Sequence, residues 1–340
     1  MTHVASFIKT LCKNLHCIEQ YYTGIALKIT SQDVAYVAVF TAFSAIIIKM
    51  LPGIPIVGTP GANIKFDAVV APIYGLVIGP YLGFAAALFG GLITANSPFD
   101  VLTSFSPAVS ALVAGLLTQK SIVNPENRIK GWMVAAGVLS VLVLGWFFTD
   151  VGQQAPFYPI LHIAGIIMIL ATRGWPAKVF EKEEIVERKW QTKTIYLITG
   201  IVVMIVAFMF NKPYLSDLWV LEYVSLPMFV IGGVITVYSL FGLGKYSFAF
   251  SIAIASYCGI IADHMLGNLV FIESVNIFIP FSWLEQNVLI PLQLPSIASL
   301  FMYMVPVSAV ERILFTIVAT IIGMGLILAL RKTNLLTRKL

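Results

Sequence analysis

The feature that most constrains this chain is a succession of ten apolar runs parted by short basic loops. The runs cover residues 34–51, 67–79, 80–95, 103–118, 131–148, 158–172, 194–210, 219–241, 247–264 and 307–330. A hydrocarbon core about 30 Å thick takes roughly 20 apolar residues in helix. Several runs fall short of that length and gain their weight from the charges between them. With the N-terminus inside, the inner segments hold Lys9, Lys13, Lys28, Lys120, Arg128, Lys130, Arg173, Lys178, Lys182, Arg188, Lys189, Lys193, Lys245, Arg331, Lys332, Arg338 and Lys339, seventeen of the 21 basic residues. The outer side keeps Lys49, Lys65 and Lys212, and Arg312 stands at the outer end of the last run. Cytoplasmic loops carry such an excess of Lys and Arg, and removing any one span would scramble the alternation after it. The expected fold is all-α. It is a polytopic membrane helical bundle of about ten transmembrane helices, multi-pass in the cell (plasma) membrane, with both termini cytoplasmic.

Composition agrees. Hydrophobic residues make up 59% and charged residues 11%, whereas soluble domains carry about 25% charged residues. The net charge of +5 resides in the turns and forms no basic stripe interleaved with aromatics, so nucleic acid is not an expected partner. Cys12, Cys17 and Cys258 are odd in number and suggest no disulfide framework. With His3 and His16, the first two read as thiols on a surface helix in a reducing compartment rather than as a metal site. No metal or cofactor is expected.

The first 30 residues lack the compact apolar region and small-residue cleavage site of a secretory signal. Phe7, Ile8, Leu11, Leu15, Ile18, Tyr22 and Ile25 recur there at helical spacing, with Lys9, Lys13, Asn14 and Gln20 between them. That pattern predicts an amphipathic helix on the inner leaflet, the alternative being a tail with accidental periodicity. The runs 67–79 and 80–95 are divided by Gly79-Pro80, read as a tight helical hairpin in preference to one long kinked helix. The stretch 265–306 has no Lys or Arg yet is apolar, through residues such as Phe271, Ile277, Phe281 and Leu289, and Pro280, Pro291 and Pro295 break it. It is expected to fold back as an outer lid or re-entrant element. The inner loop 173–193 alternates signs and reads as a solvated helix or linker. No internal repeat stands out, which weakens an inverted-repeat secondary transporter.

Catalytic chemistry is missing from the motifs. No G-x-x-x-x-G-K-[ST] loop is present; Gly242-Leu243-Gly244-Lys245-Tyr246 lacks the first glycine and the hydroxyl. Neither H-E-x-x-H nor G-x-S-x-G occurs, and His162 and His264 stand too far apart in sequence to suggest a metal site. The chain is read as a non-enzyme, and transport or binding remains. Polar residues in or at the mouth of a bundle are costly and mark sites. They gather on the predicted outer side: Asn63, Lys65 and Asp67; Asn96, Ser97 and Asp100; Asp263, His264 and Asn268; Glu311 and Arg312. A pocket open to the outside is built this way, although each residue alone also suits the solvation of a helix end. Small residues form a second pattern, Ala38-xxx-Ala42 with Ala35 and Ala45 in the first run and Gly83, Ala87 and Gly91 in the third, which suits close helix packing within the bundle or against another subunit.

An ordered set of these features resembles the substrate-binding S component of energy-coupling factor (ECF) vitamin transporters. The set comprises Ala38-xxx-Ala42, a Pro/Gly-rich loop from Pro52 to Gly61, Lys65-Phe66-Asp67 leading to Pro72, Gly79-Pro80 with Gly83, Gly90-Gly91, and Asn96-Ser97-Pro98. Residues 247–330, with Pro306, Glu311 and Arg312 opening the final helix, are similar to that family's last two helices. The resemblance covers 33–118 and 247–330. It implies a six-helix bundle whose first helix docks, here through Ala38 and Ala42, on an energising transmembrane subunit driven by ATPase subunits. It also implies an outward pocket gated by the loop 52–66. The departure is an extra four-helix stretch. The expected organisation is a surface helix at 1–30, S-component-like helices 1–4 at 31–120, an inserted four-helix membrane module at 121–245, and S-component-like helices 5–6 at 246–340.

The leading expectation is therefore a vitamin- or micronutrient-binding subunit of an ECF-type importer. Trp283 and Tyr303 would stack on a flat ring, and Asn63, Lys65, Asp67, Asn96, Ser97, Asp100, Asp263, His264, Asn268 and Arg312 would fix its orientation. A stand-alone ion-coupled transporter or channel, with Asp67, Asp263 or Glu311 carrying a proton or sodium, is the alternative. A membrane scaffold subunit is the third class.

Overall fold

The computed structural model describes residues 30–51, 54–55, 63–64, 66–119, 129–182, 198–204, 232 and 247–333. The expected surface helix at 1–30, most of the loop 52–66 including Lys65, the stretch 183–193, and the run 219–241 apart from Gly232 lie outside the described residues. Of the run 194–210, residues 198–204 are described and helical.

Helix α1 (Ser31–Met50) starts from a reciprocal cap. Thr30 Oγ1 accepts from the Asp33 amide at 3.2 Å, and Asp33 Oδ2 accepts from the Thr30 amide at 2.9 Å, which satisfies two donors that a helix start leaves orphaned. A short ribbon follows, β1 (Ile54–Pro55) antiparallel to β2 (Asn63–Ile64). Then α2 (Asp67–Ile78) and α3 (Pro80–Thr94) form the helical hairpin that Gly79-Pro80 predicts. Gly79 adopts φ 96°, a region costly for any residue with a Cβ. Pro80 supplies a first helical position that needs no amide donor.

Helices α4 (Pro98–Thr103) and α5 (Phe105–Leu117) follow, and α5 lies at the centre with Ala108, Ala111, Val113 and Ala114 fully buried. Backbones approach closely where α2, α3 and α5 meet. A Cβ on Gly83 would stand 2.8 Å from Gly75 Cα, one on Gly115 would stand 2.6 Å from Pro80 Cα, and one on Gly75 would overlap the Ala111 carbonyl. Small residues set the interhelical distance here.

Next come α6 (Gly131–Phe147), α7 (Asp150–Gln154), α8 (Ile160–Thr172) and α9 (Trp175–Lys182). Long helix α10 (Ser247–Ser274) leads to a cap made of α11 (Phe281–Leu284) and a π turn at Glu285–Leu289, and α12 (Ile297–Lys332) closes the described chain. One apolar core joins them. Leu76 of α2, Ala86 of α3, Leu116 of α5, Leu139 of α6, Ile169 of α8, Ile261 of α10 and Ile327 of α12 belong to a single buried cluster. Helices α6 and α8 thus share the core of the rest and do not stand apart from it.

Among the described residues four stretches are long and apolar enough to cross a membrane: α1, the combined α4–α5 stretch Pro98–Leu117, α10 and α12; α2, α3, α6 and α8 are shorter and apolar. The structure corrects the expected long outer loop at 265–306. Helix α10 runs on through Ser274, α12 begins at Ile297, and only 275–296 forms the cap. Pro306 lies inside α12, and Asp263, His264 and Asn268 lie inside α10 rather than at its end. The physical reason is length. At 1.5 Å per residue, a 36-residue helix is about 54 Å long, longer than a bilayer core of about 30 Å requires.

The cap has a small core of its own, in which Leu284, Val288 and Leu289 pack with Leu300 of α12. At the opposite end, Arg331 Nη2 donates to the Phe180 carbonyl at 2.8 Å, and the guanidinium lies 4.8 Å from the Phe248 ring centre. These contacts pin α12 to α9 and to the start of α10.

Candidate functional site

Between the core and the cap, polar side chains from four parts of the chain converge. Asp67 opens α2. Tyr158 precedes α8, and His162 lies in its first turn. Helix α10 contributes Asp263, His264 and Asn268, and α12 contributes Ser308, Glu311 and Arg312. The carboxylates of Asp67 and Glu311 and the Arg312 guanidinium all lie in electrostatic range of Asp263.

Tyr158 is the hub of the neutral half. Asn268 Nδ2 donates to its hydroxyl at 2.7 Å, and His264 Nε2 lies 3.2 Å from the same oxygen. Ser308 faces that hydroxyl from α12. Because the oxygen accepts from Asn268, its own proton is free for His264 Nε2 or for Ser308, and where Nε2 takes it the neutral ring's proton stands on Nδ1. That Nδ1 is buried and has no hydrogen-bond partner among the described residues. The His162 ring lies nearly parallel to His264, with centroids 5.3 Å apart and planes at 22°. His162 is 1% exposed. The Pro159 carbonyl faces its ring without completing a hydrogen bond, and neither ring nitrogen has a partner among the described residues.

An aromatic wall holds this half in place. Trp146 stacks on Tyr158 at 4.6 Å, and Phe301 of α12 meets Trp146 and Tyr158 edge-on at 5.0 Å each. Trp146 Nε1 donates to the Ala155 carbonyl at 3.2 Å, which fixes the indole as the backing of the phenol.

The charged half holds three carboxylates and one guanidinium. Arg312 Nη2 lies 3.0 Å from Glu311 Oε1, an ion pair whose orientation gives Oε1 no aligned hydrogen bond. Arg312 Nε is likewise without a partner among the described residues. Arg312 and Asp263 are 9% and 8% exposed. Among the described residues no group of three or more His, Cys, Asp or Glu is arranged to hold a metal ion. Buried polar atoms are nearly always hydrogen-bonded, and each one left unmatched costs about 1–3 kcal/mol. Several such atoms stand together here.

Of the residues singled out in sequence, the structure brings together Asp67, Asp263, His264, Asn268 and Arg312, with Glu311. It does not bring Asn96, Ser97 and Asp100 to them. Ser97 Oγ accepts from the Asp100 amide at 3.1 Å and donates to Asp100 Oδ2 at 2.9 Å, and Asp100 Oδ2 also accepts from the Asn96 amide at 3.1 Å. Lys49 Nζ reaches Asn96 Oδ1 at 3.4 Å. These residues cap α4. Trp283, on the cap, and Tyr303, on α12, are 44% and 43% exposed and lie outside the cluster. Asn63 pairs with Pro55 in the ribbon.

Ala38 and Ala42 are exposed on α1. The packed face of that helix is a different one: Thr41 Oγ1 donates to the Ala86 carbonyl at 3.3 Å, and Ser44 seats against Gly90. Sequence reading missed Tyr158, Trp146, Phe301 and Ser308, and set His162 aside. The signal available for His162 was a titratable ring inside an apolar run.

No family model matches the chain, and no solved structure matches it. A stretch of 131 residues, 36% of this chain, is 28% identical to an uncharacterized protein of Methanocaldococcus jannaschii. The similarity covers 41% of that protein's length. Fold and composition together define a helical bundle with apolar helices compatible with a membrane protein.

Proposed function

We propose that this chain is the membrane-embedded substrate-binding subunit of an ECF-type importer, taking a vitamin or related micronutrient from outside for uptake that partner subunits drive with ATP. The observation that carries this reading is the set of buried polar groups from α8, α10 and α12 whose hydrogen-bonding capacity the described residues leave unfilled. In the proposed topology about ten helices span the plasma membrane with both termini cytoplasmic, and the cap 275–296 faces outward above the polar cluster. The S-component-like core is α1–α5 with α10 and α12.

The exposure of Ala38 and Ala42 supports docking on an energising transmembrane subunit. Their smooth face is left over after α1 has packed on α3 through Thr41 and Ser44, and small residues let a partner helix approach closely.

The test is affinity purification in native lipid, followed by identification of the bound metabolite and co-purifying subunits, with thermal-shift screening of water-soluble vitamins. A bound micronutrient and an ATPase pair are the expected results. The absence of both a co-purifying metabolite and a shift with any vitamin would refute the assignment. One observation favours a second reading, an ion-coupled transporter: the cluster places three carboxylates against a single guanidinium. Uptake into vesicles without ATPases, driven by a proton or sodium gradient, would select it.

A further inference from the structure

The segment 131–172 has no counterpart in the resemblance to S components, yet it reaches the centre of the polar cluster. Tyr158 and His162 come from this segment, and both meet His264 of α10. Trp146, from the same segment, backs Tyr158 and meets Phe301 of α12. We infer that the inserted helices complete the binding site, with His162, Tyr158 and His264 forming an uncharged edge that recognises a planar heterocyclic amide of the ligand through its adjacent N–H and C=O. The inference rests on the substrate-binding reading and adds the chemical class of the group recognised.

The inventory of unmatched atoms leads to that class. His264 Nδ1 is a donor once Tyr158 serves Nε2. A neutral His162 offers one donor and one acceptor, both buried and without partners among the described residues. A ligand carboxylate brings only acceptors and would leave the acceptor nitrogen of His162 unmet. An ammonium brings only donors and would leave both donors unmet. A ring amide brings one of each, its N–H for the acceptor nitrogen of His162 and its C=O for His264 Nδ1, while the His162 donor is left to the Pro159 carbonyl that faces the ring. The two imidazoles lie nearly parallel, and Tyr158 is held by two side chains of α10 and by the stacked indole. A flat, rigid edge of this kind suits a flat ligand group better than a flexible chain. If packing were the only purpose, leucine or phenylalanine at 162 would fill the position without the desolvation of two ring nitrogens.

The test uses the full chain in lipid nanodiscs, with lumazine as a ring-amide probe, 1,3-dimethyllumazine as its blocked counterpart, thiamin as a cation and nicotinate as an anion. Lumazine is expected to bind. N-methylation and His162→Phe, which keeps a ring and removes both nitrogens, are each expected to weaken binding by about tenfold or more, the scale of one unmatched buried hydrogen bond. His162→Gln is expected to recover part of the loss.

If thiamin or nicotinate binds instead, and His162→Phe leaves its Kd within about twofold, the recognition edge is refuted while the substrate-binding role stands. If no probe binds and no metabolite co-purifies, both fall. Should His162→Phe fail to fold, the comparison of lumazine with its dimethyl form on the unaltered chain decides the matter. Equal affinity there overturns the inference.

Discussion

Replacing Tyr158 with phenylalanine removes one oxygen and leaves the stacked ring in place. Two half-buried groups then lose their partner: Asn268 Nδ2, now 2.7 Å from the hydroxyl, and His264 Nε2, at 3.2 Å. In soluble interiors each unmatched group costs about 1–3 kcal/mol. Between membrane helices, measured couplings average about 0.6 kcal/mol and reach about 1.7 kcal/mol, because the unfolded chain in lipid also finds partners. The Asn268 bond is short and belongs at the upper end of that range. Tyr158→Phe is therefore expected to cost about 2 kcal/mol, and Asn268→Leu about 1–2 kcal/mol. The double variant should cost about 1 kcal/mol less than their sum, since a lost bond cannot be lost twice. Reversible unfolding in mixed micelles, followed by the fluorescence of the 6 tryptophans, measures all three. Additivity within about 0.3 kcal/mol would show that the two side chains do not act through the hydroxyl, and the proposed hub would be wrong.

Gly75→Ala places a Cβ on the Ala111 carbonyl and is expected to destabilise by about 1–3 kcal/mol or more through overpacking. Gly137→Ala, where a Cβ meets nothing within 4 Å, should be neutral or raise the Tm through about 1 kcal/mol of helix propensity. The reverse order in a thermal melt would contradict the helix crossing. Ser97→Ala removes the α4 cap and should cost about 1 kcal/mol while leaving ligand affinity unchanged; a loss of binding would return Ser97 to the site. Ala38→Leu with Ala42→Leu, both on the exposed face of α1, should hold stability within about 0.5 kcal/mol and abolish co-purification of partner subunits. Retained association would place the docking surface elsewhere.

How far the fold could be read from sequence depended on whether the instruction was local. Gly79-Pro80 carries its own: a residue free to adopt φ 96° followed by one suited to begin a helix. Apolar runs bounded by such signals, or by the Thr30–Asp33 cap, fall within a few residues of α1, α2, α3, α5, α6 and α8. The end of α10 carried no such mark, and α12 starts from a reciprocal Ser296–Ser299 cap that the sequence reading passed over. Residues 265–274 and 297–306 are as apolar as a lid would be, and Met265, Met302 and Val305 are buried in one cluster beside Trp146 and Phe301. The polar trio of Asp263, His264 and Asn268 looked like a helix terminus because a terminus is where polar groups usually stand. Here they face partners inside the bundle.

The same distinction sorts the site. Ser97 and Asp100 stand three apart, the spacing of an N-cap, and each satisfies the other within one turn, so that pair is legible in the sequence as structural. Asp263 sits in an apolar helix with no oppositely charged residue within a turn of it, and such residues are the ones that reach across a bundle. Tyr158 and His162 could not be assigned this way. Tyr158 contacts His264 across 106 residues and Asn268 across 110, and no periodicity in a single sequence records a pairing at that range. What the sequence did hold was a histidine ring inside an apolar run, a costly placement unless something answers it. Within the described residues nothing answers its two nitrogens, and for that reason the binding hypothesis turns on His162 more than on any of the carboxylates.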